Sequence, residues 1–113
     1  MKMNTQETTT NTVDVLLPTK HRVTKIMWTI DGKTYTFNTA RDDNRSKEDL
    51  IARQKYHGKL NGVYGMIAKY PEQMTIVIIH DNLPKDVAEA YRSWEIRKDK
   101  IMGHESMNAR ENY

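Results

Sequence analysis

The stretch Ile26-Met27-Trp28-Thr29-Ile30-Asp31-Gly32-Lys33-Thr34-Tyr35-Thr36-Phe37 decides the fold, because its strand pairing follows from the residues alone. Asp-Gly separates two alternating segments, and a two-residue type I′ turn needs positive φ at both central positions, which these two residues tolerate. With that turn, Ile30 faces Lys33, Trp28 faces Tyr35 and Ile26 faces Phe37. The four large apolar side chains then share one face of the hairpin. Lys25, Met27, Thr29, Thr34 and Thr36 share the other, and a slip of one residue would split the apolar set.

The composition around this hairpin predicts one small domain. A chain of 113 residues sits at ordinary single-domain size, and its apolar fraction of 37% is low enough to confine the core to the middle. We read residues 1–19 as a flexible N-terminal arm, 20–103 as the domain and 104–113 as a flexible C-terminal tail. Val13, Val15, Leu16 and Leu17 form the only apolar cluster of the arm, a pin that can pack on the domain or on a second copy. Cysteine is absent, which excludes disulfides, thiol catalysis and thiolate metal sites. The longest apolar run, Ile76–Ile79, falls far short of the ~20 residues of a membrane span. Met1–Thr12 is polar and carries no apolar leader core, so the expected location is cytoplasmic.

Beyond the first hairpin, Ser46 and Asp49 make a shortened capping-box pattern that opens a helix, which Gly58 is placed to end. Residues 63–70 and 74–80 then flank Pro71-Glu72 and read as a second hairpin with apolar side chains on both faces, hence a central one. A final helix follows Pro84. Its residues Val87, Ala90, Tyr91, Trp94 and Ile101 fall at helical spacing and predict the buried stripe, with Lys98 interrupting it. The predicted class is α+β: a four-stranded antiparallel sheet of two hairpins with two helices on one face, in the order ββαββα. Trp28 and Trp94 are both expected in the core. The two-faced second hairpin, the interrupted stripe and the arm leave more apolar surface than one subunit covers, so a homodimer is expected.

Catalytic signatures are missing. The four histidines, His21, His57, His80 and His104, have no mutual metal-ligand spacing, and His80-Asp81 at a strand end reads as a structural contact. No G-x-S-x-G, S-x-x-K or Walker A pattern occurs, and Gly62-Val63-Tyr64-Gly65 reads as a close-packing feature rather than a phosphate cradle. The expectation is therefore a protein without catalytic residues, metal or cofactor.

Charge points to a partner. The net charge is +3, yet residues 20–60 alone carry ten basic and five acidic side chains, so the excess is confined to that half. Lys20, Arg22, Lys25 and Lys33 of the first hairpin, Arg41 and Arg45 of the following loop, and Arg53, Lys55 and Lys59 of the first helix make a basic arc. Lys and Arg on one surface neutralise phosphates, and Tyr nearby can stack bases. The expected function is a small non-enzymatic binding protein contacting a phosphate-bearing partner, most simply nucleic acid without strong sequence specificity. Two alternatives stand beside it: an accessory or inhibitory protein that binds another protein's acidic surface, and an oligomer that sequesters a small phosphorylated nucleotide at a subunit interface.

Overall fold

Asp31 and Gly32 adopt φ of 52° and 80°, and the turn they make pairs β1 (His21–Ile30) with β2 (Lys33–Arg41) in the register read from the sequence. Trp28 lies opposite Tyr35 and Ile26 opposite Phe37. The computed structural model describes residues 20–108, so the expected arm of residues 1–19 and the last part of the expected C-terminal tail lie outside the described residues.

After the hairpin comes helix α1 (Lys47–His57). Its capping box is complete: the Ser46 hydroxyl accepts from the Asp49 N–H, and the Asp49 carboxylate accepts from the Ser46 N–H. Gly58, at φ 65°, ends it in the left-handed conformation.

The next element overturns an expectation. Residues 62–69 form helix α2 (Gly62–Lys69), not the first arm of a second hairpin. Val63, Met66, Ile67 and Tyr70 recur at helical intervals as well as satisfying a strand pattern, and a short apolar run does not distinguish the two periods. Packing decides for the helix. Ile67 is buried against Ile26, Trp28 and Met74, and Tyr70 leaves the helical conformation ahead of Pro71. Gly65 permits the arrangement, since a Cβ there would lie 2.6 Å from the Leu60 carbonyl oxygen.

With no neighbour at its own turn, β3 (Thr75–Leu83) pairs antiparallel with β1 and lies at the sheet edge, so the expected central hairpin becomes an edge strand. Helix α3 (Lys85–Ile101) then carries the chain across the sheet to β4 (Glu105–Ser106), which runs parallel to β2. The sheet order is β3-β1-β2-β4, and the sheet is mixed rather than antiparallel, with three helices among the described residues where two were expected. Residues 104–108, expected to fray, belong to the fold. The buried Asn108 carboxamide accepts from the Asn38 N–H and donates to the Asn38 carbonyl, both at 2.9 Å, continuing the edge pairing beyond β4.

The helices cover both faces of the sheet. Helices α1 and α2 lie over the face of Ile26, Trp28, Tyr35, Phe37 and Ile76, where the indole N–H of Trp28 donates to the Tyr70 carbonyl at 3.1 Å. Helix α3 covers the opposite face, the one whose alternation reads as polar. There Lys25 is 7% exposed, and its ammonium donates to Glu95 at 2.8 Å and to Asp99 at 2.6 Å. The Asn38 amide donates to the second Asp99 oxygen at 2.9 Å. Helix α3 therefore turns Ala88, Glu95, Ile96 and Asp99 inward and its apolar stripe outward. Trp94, expected in the core, is 56% exposed. Periodicity identifies residues that share a face; it does not say which way the face points.

Candidate anion-binding groove

The hairpin register places Arg22 of β1 opposite Arg41 of β2 at the open end of the hairpin, on the same sheet face as Ile26 and Phe37. The loop from Arg41 to Ser46 then folds back to the start of α1, which brings Arg45, Lys47 and Arg53 to the same place. Together with α2 and the sheet, these residues enclose a groove of about 660 Å3. Its floor is apolar, made by Ile26, Phe37, Leu50, Val63, Ile67 and Ile76, and Tyr64 lines one wall. Six basic side chains, Arg92 of α3 being the sixth, line it against two acidic ones, Asp43 and Glu89. The volume is in the usual range for small-ligand sites, and an apolar base with a few convergent charges is their usual construction.

Three of the arginines, Arg22, Arg41 and Arg45, are held by carboxylates. Arg22 donates from Nε and Nη2 to the two oxygens of Asp81, at 3.2 and 2.9 Å, and from Nη1 to the Asn44 side-chain oxygen. Asp43 bridges two arginines: Arg41 Nε reaches Oδ1 at 2.8 Å and Arg45 Nε reaches Oδ2 at 2.9 Å. The hydrogen bond from Arg41, reinforced by Arg45, holds the Asp43 carboxyl down at about 2. Arg22 likewise holds Asp81 below the usual carboxylate range. Each clasp orients a planar guanidinium before any ligand arrives, and a guanidinium still has donors to spare for a phosphate oxygen.

Of the nine residues of the basic arc, Arg22, Arg41, Arg45 and Arg53 line this groove. Lys25 does not belong with them, because it lies buried on the far face of the sheet under α3. Lys33 sits at the hairpin turn, 3.4 Å from Glu105, and Lys20 is exposed ahead of β1. Lys55 is exposed on α1, and the Lys59 ammonium lies 5.4 Å from the centre of the Tyr64 ring. Sequence reading missed the groove's floor and its acidic clasps. Asp43 carries no local signal that ties it to Arg41 and Arg45, and Val63 and Tyr64 fall in the stretch expected as a strand, so nothing in the pattern joined them to the arginines.

The histidines stay apart. His80 stacks on Tyr91 with ring centres 4.0 Å apart, and His104 Nδ1 lies 3.8 Å from Asp99. Among the described residues no group of three or more His, Asp or Glu side chains converges as a metal site. No described helix is long and apolar enough to cross a membrane. Comparison of the chain with known protein families, curated proteins and solved structures finds no match.

Proposed function

We propose that this is a small non-enzymatic binding protein whose groove takes a phosphate-bearing partner, with nucleic acid the simplest such partner. The observation that carries the reading is the convergence of Arg22, Arg41, Arg45 and Arg53, from two strands, a loop and a helix, around one apolar floor. Phosphate oxygens meet guanidinium groups at the rim, while a base or sugar lies over Phe37 and Tyr64. Charge contacts of this kind go to the backbone that all nucleic acids share, so the expected binding has little sequence preference.

The size of the groove favours a second reading, a single small phosphorylated nucleotide held within one subunit. The test separates the two. Anisotropy titration of a labelled single-stranded oligonucleotide should give an affinity that falls steeply as salt rises, with a slope that tracks the phosphates neutralised. A mononucleotide that shifts the melting temperature saturably while the oligonucleotide does not bind would support the second reading. Absence of both responses would leave neither standing and would favour a protein partner with an acidic surface.

A further inference from the structure

Helix α3 buries two of its carboxylates, Glu95 and Asp99, beside Ala88 and Ile96, and leaves most of its apolar stripe exposed, an unusual arrangement for a helix lying on a sheet. Glu95 and Asp99 point inward to Lys25 and Asn38, while Val87, Tyr91, Trp94 and Ile101 point outward, Ile101 with 77% of its surface exposed. These outward residues lie on one side of the helix; Val87, Tyr91 and Trp94 are continuous, and Lys98, 3.3 Å from Glu95, separates them from Ile101. Near its first turns, Val87, Ala90, Tyr91 and Trp94 surround a shallow hollow of about 500 Å3, with Ala90 leaving room for a large side chain. An apolar patch with a large aromatic residue beside a hollow is how interface hot spots are built.

Charges beside the strip say what covers it. Asp86 lies in the first turn of α3 and Arg97 about three turns later, so both fall on the same flank of the strip. Two copies related by a two-fold axis that sets their helices antiparallel bring like flanks together. Asp86 of each copy then meets Arg97 of the other, at both ends of the contact. A parallel arrangement would instead set like flanks on opposite sides and leave each Asp86 far from the other copy's Arg97.

We propose that α3 is the interface of a homodimer, in which the helices of two copies pack antiparallel through their outward stripes. Trp94 of each copy fills the hollow beside Ala90 of the other, and the Asp86–Arg97 pairs fix the direction. This interface lies on the face of the sheet opposite α1 and α2 and stands whether or not the groove binds a phosphate.

The experiment is sedimentation equilibrium of the full chain and of five variants, four single and one double, with far-ultraviolet circular dichroism on each. The native chain should sediment at twice its mass of 13.3 kDa at tens of micromolar. Trp94→Glu and Ile101→Glu alter exposed positions, so both should keep the native spectrum. Trp94→Glu should lose at least about thirtyfold in dimer affinity, as expected for a central aromatic anchor. Asp86→Lys and Arg97→Glu should each weaken the dimer about two- to fivefold, and the variant carrying both should recover it. A native chain that sediments as a single copy at tens of micromolar would overturn the proposal. So would a dimer untouched by both Trp94→Glu and Ile101→Glu, which would move the contact to the exposed edge of β3. Failure of the double exchange to recover what the single exchanges lose would overturn the antiparallel arrangement.

Discussion

The Lys25 ammonium lies 2.6 Å from the Asp99 carboxylate, buried between the sheet and α3 at a position where strand alternation alone would place water. Burial pushes the Lys25 pKa down, but the hydrogen bonds to Asp99 and Glu95 outweigh it and leave the group raised above its ordinary 10.5. Burial pushes Asp99 up, and hydrogen bonds led by Lys25 bring it below its ordinary 3.8. Both directions favour the ion pair over its neutral form.

Lys25→Met should therefore strand Glu95 and Asp99 without their cation and cost about 3–5 kcal/mol of stability in urea unfolding. The pH dependence has a definite sign. A raised Lys25 contributes fully below pH 10.5 and loses its contribution as pH rises through the folded value; a lowered Asp99 contributes above pH 3.8 and loses it as pH falls. Stability of the native chain should thus fall at both extremes. Lys25→Met should show a smaller decline at the alkaline end, and equal declines in the two proteins would refute the assignment.

Trp28 is fully buried beneath α2, with its indole N–H satisfied by the Tyr70 carbonyl. Trp28→Ala should cost about 3–5 kcal/mol, the range for emptying a large aromatic site. Trp28→Phe should cost less, because the ring is partly replaced, and what remains of the cost includes the Tyr70 carbonyl's lost donor. Equilibrium denaturation of both variants checks the order.

Gly65→Ala tests why α2 is a helix at this place. A methyl group at residue 65 would press on the backbone of Leu60, which has no flexible side chain to yield. Overpacking of this kind costs about 1–3 kcal/mol, and it should outweigh the ~1 kcal/mol that Ala normally gains over Gly in a helix. A melting temperature above that of the native chain would show that the segment relaxes freely.

Asp43 competes with any anion for Arg41 and Arg45. Asp43→Asn should tighten binding of a phosphate-bearing ligand about two- to fivefold at neutral pH, the effect of removing one exposed carboxylate from the rim. Since Asp43 is held at about 2, the clasp persists above its ordinary 3.8 and dissolves only as pH falls from there through about 2. Ligand affinity should accordingly show no Asp43-linked change between pH 5 and 8, which a titration series across that range measures.

Arg22→Ser and Arg53→Ser should each weaken oligonucleotide binding and lower the salt slope by about one, whereas Lys33→Ser, at the far end of the hairpin, should leave both unchanged. A Lys33 variant as impaired as the Arg22 variant would spread the site beyond the groove.

How far each element was legible follows from how local its determinants are. The β1–β2 register came from the Asp-Gly turn and the alternation beside it, and the start and stop of α1 came from Ser46, Asp49 and Gly58. Each is settled by residues within a few positions of one another. Four of the groove's arginines were also picked out, through the local excess of positive charge, although the charge pattern could not tell them from Lys25.

The residues by themselves thus determined a one-register hairpin, a capped helix and a chain without thiol chemistry. The tertiary structure decided the rest. Gly62–Lys69 suits either period and became α2 once Ile67 had Trp28 to pack against. The stripe of α3 was read correctly as a stripe, but its direction depended on Lys25 and Asn38, more than fifty residues away, which supply Glu95 and Asp99 with partners. The same long reach brought Asp81 to Arg22 and closed one side of the groove. Local pattern carries no information about partners so distant in the chain, because their meeting depends on which faces the whole fold presses together.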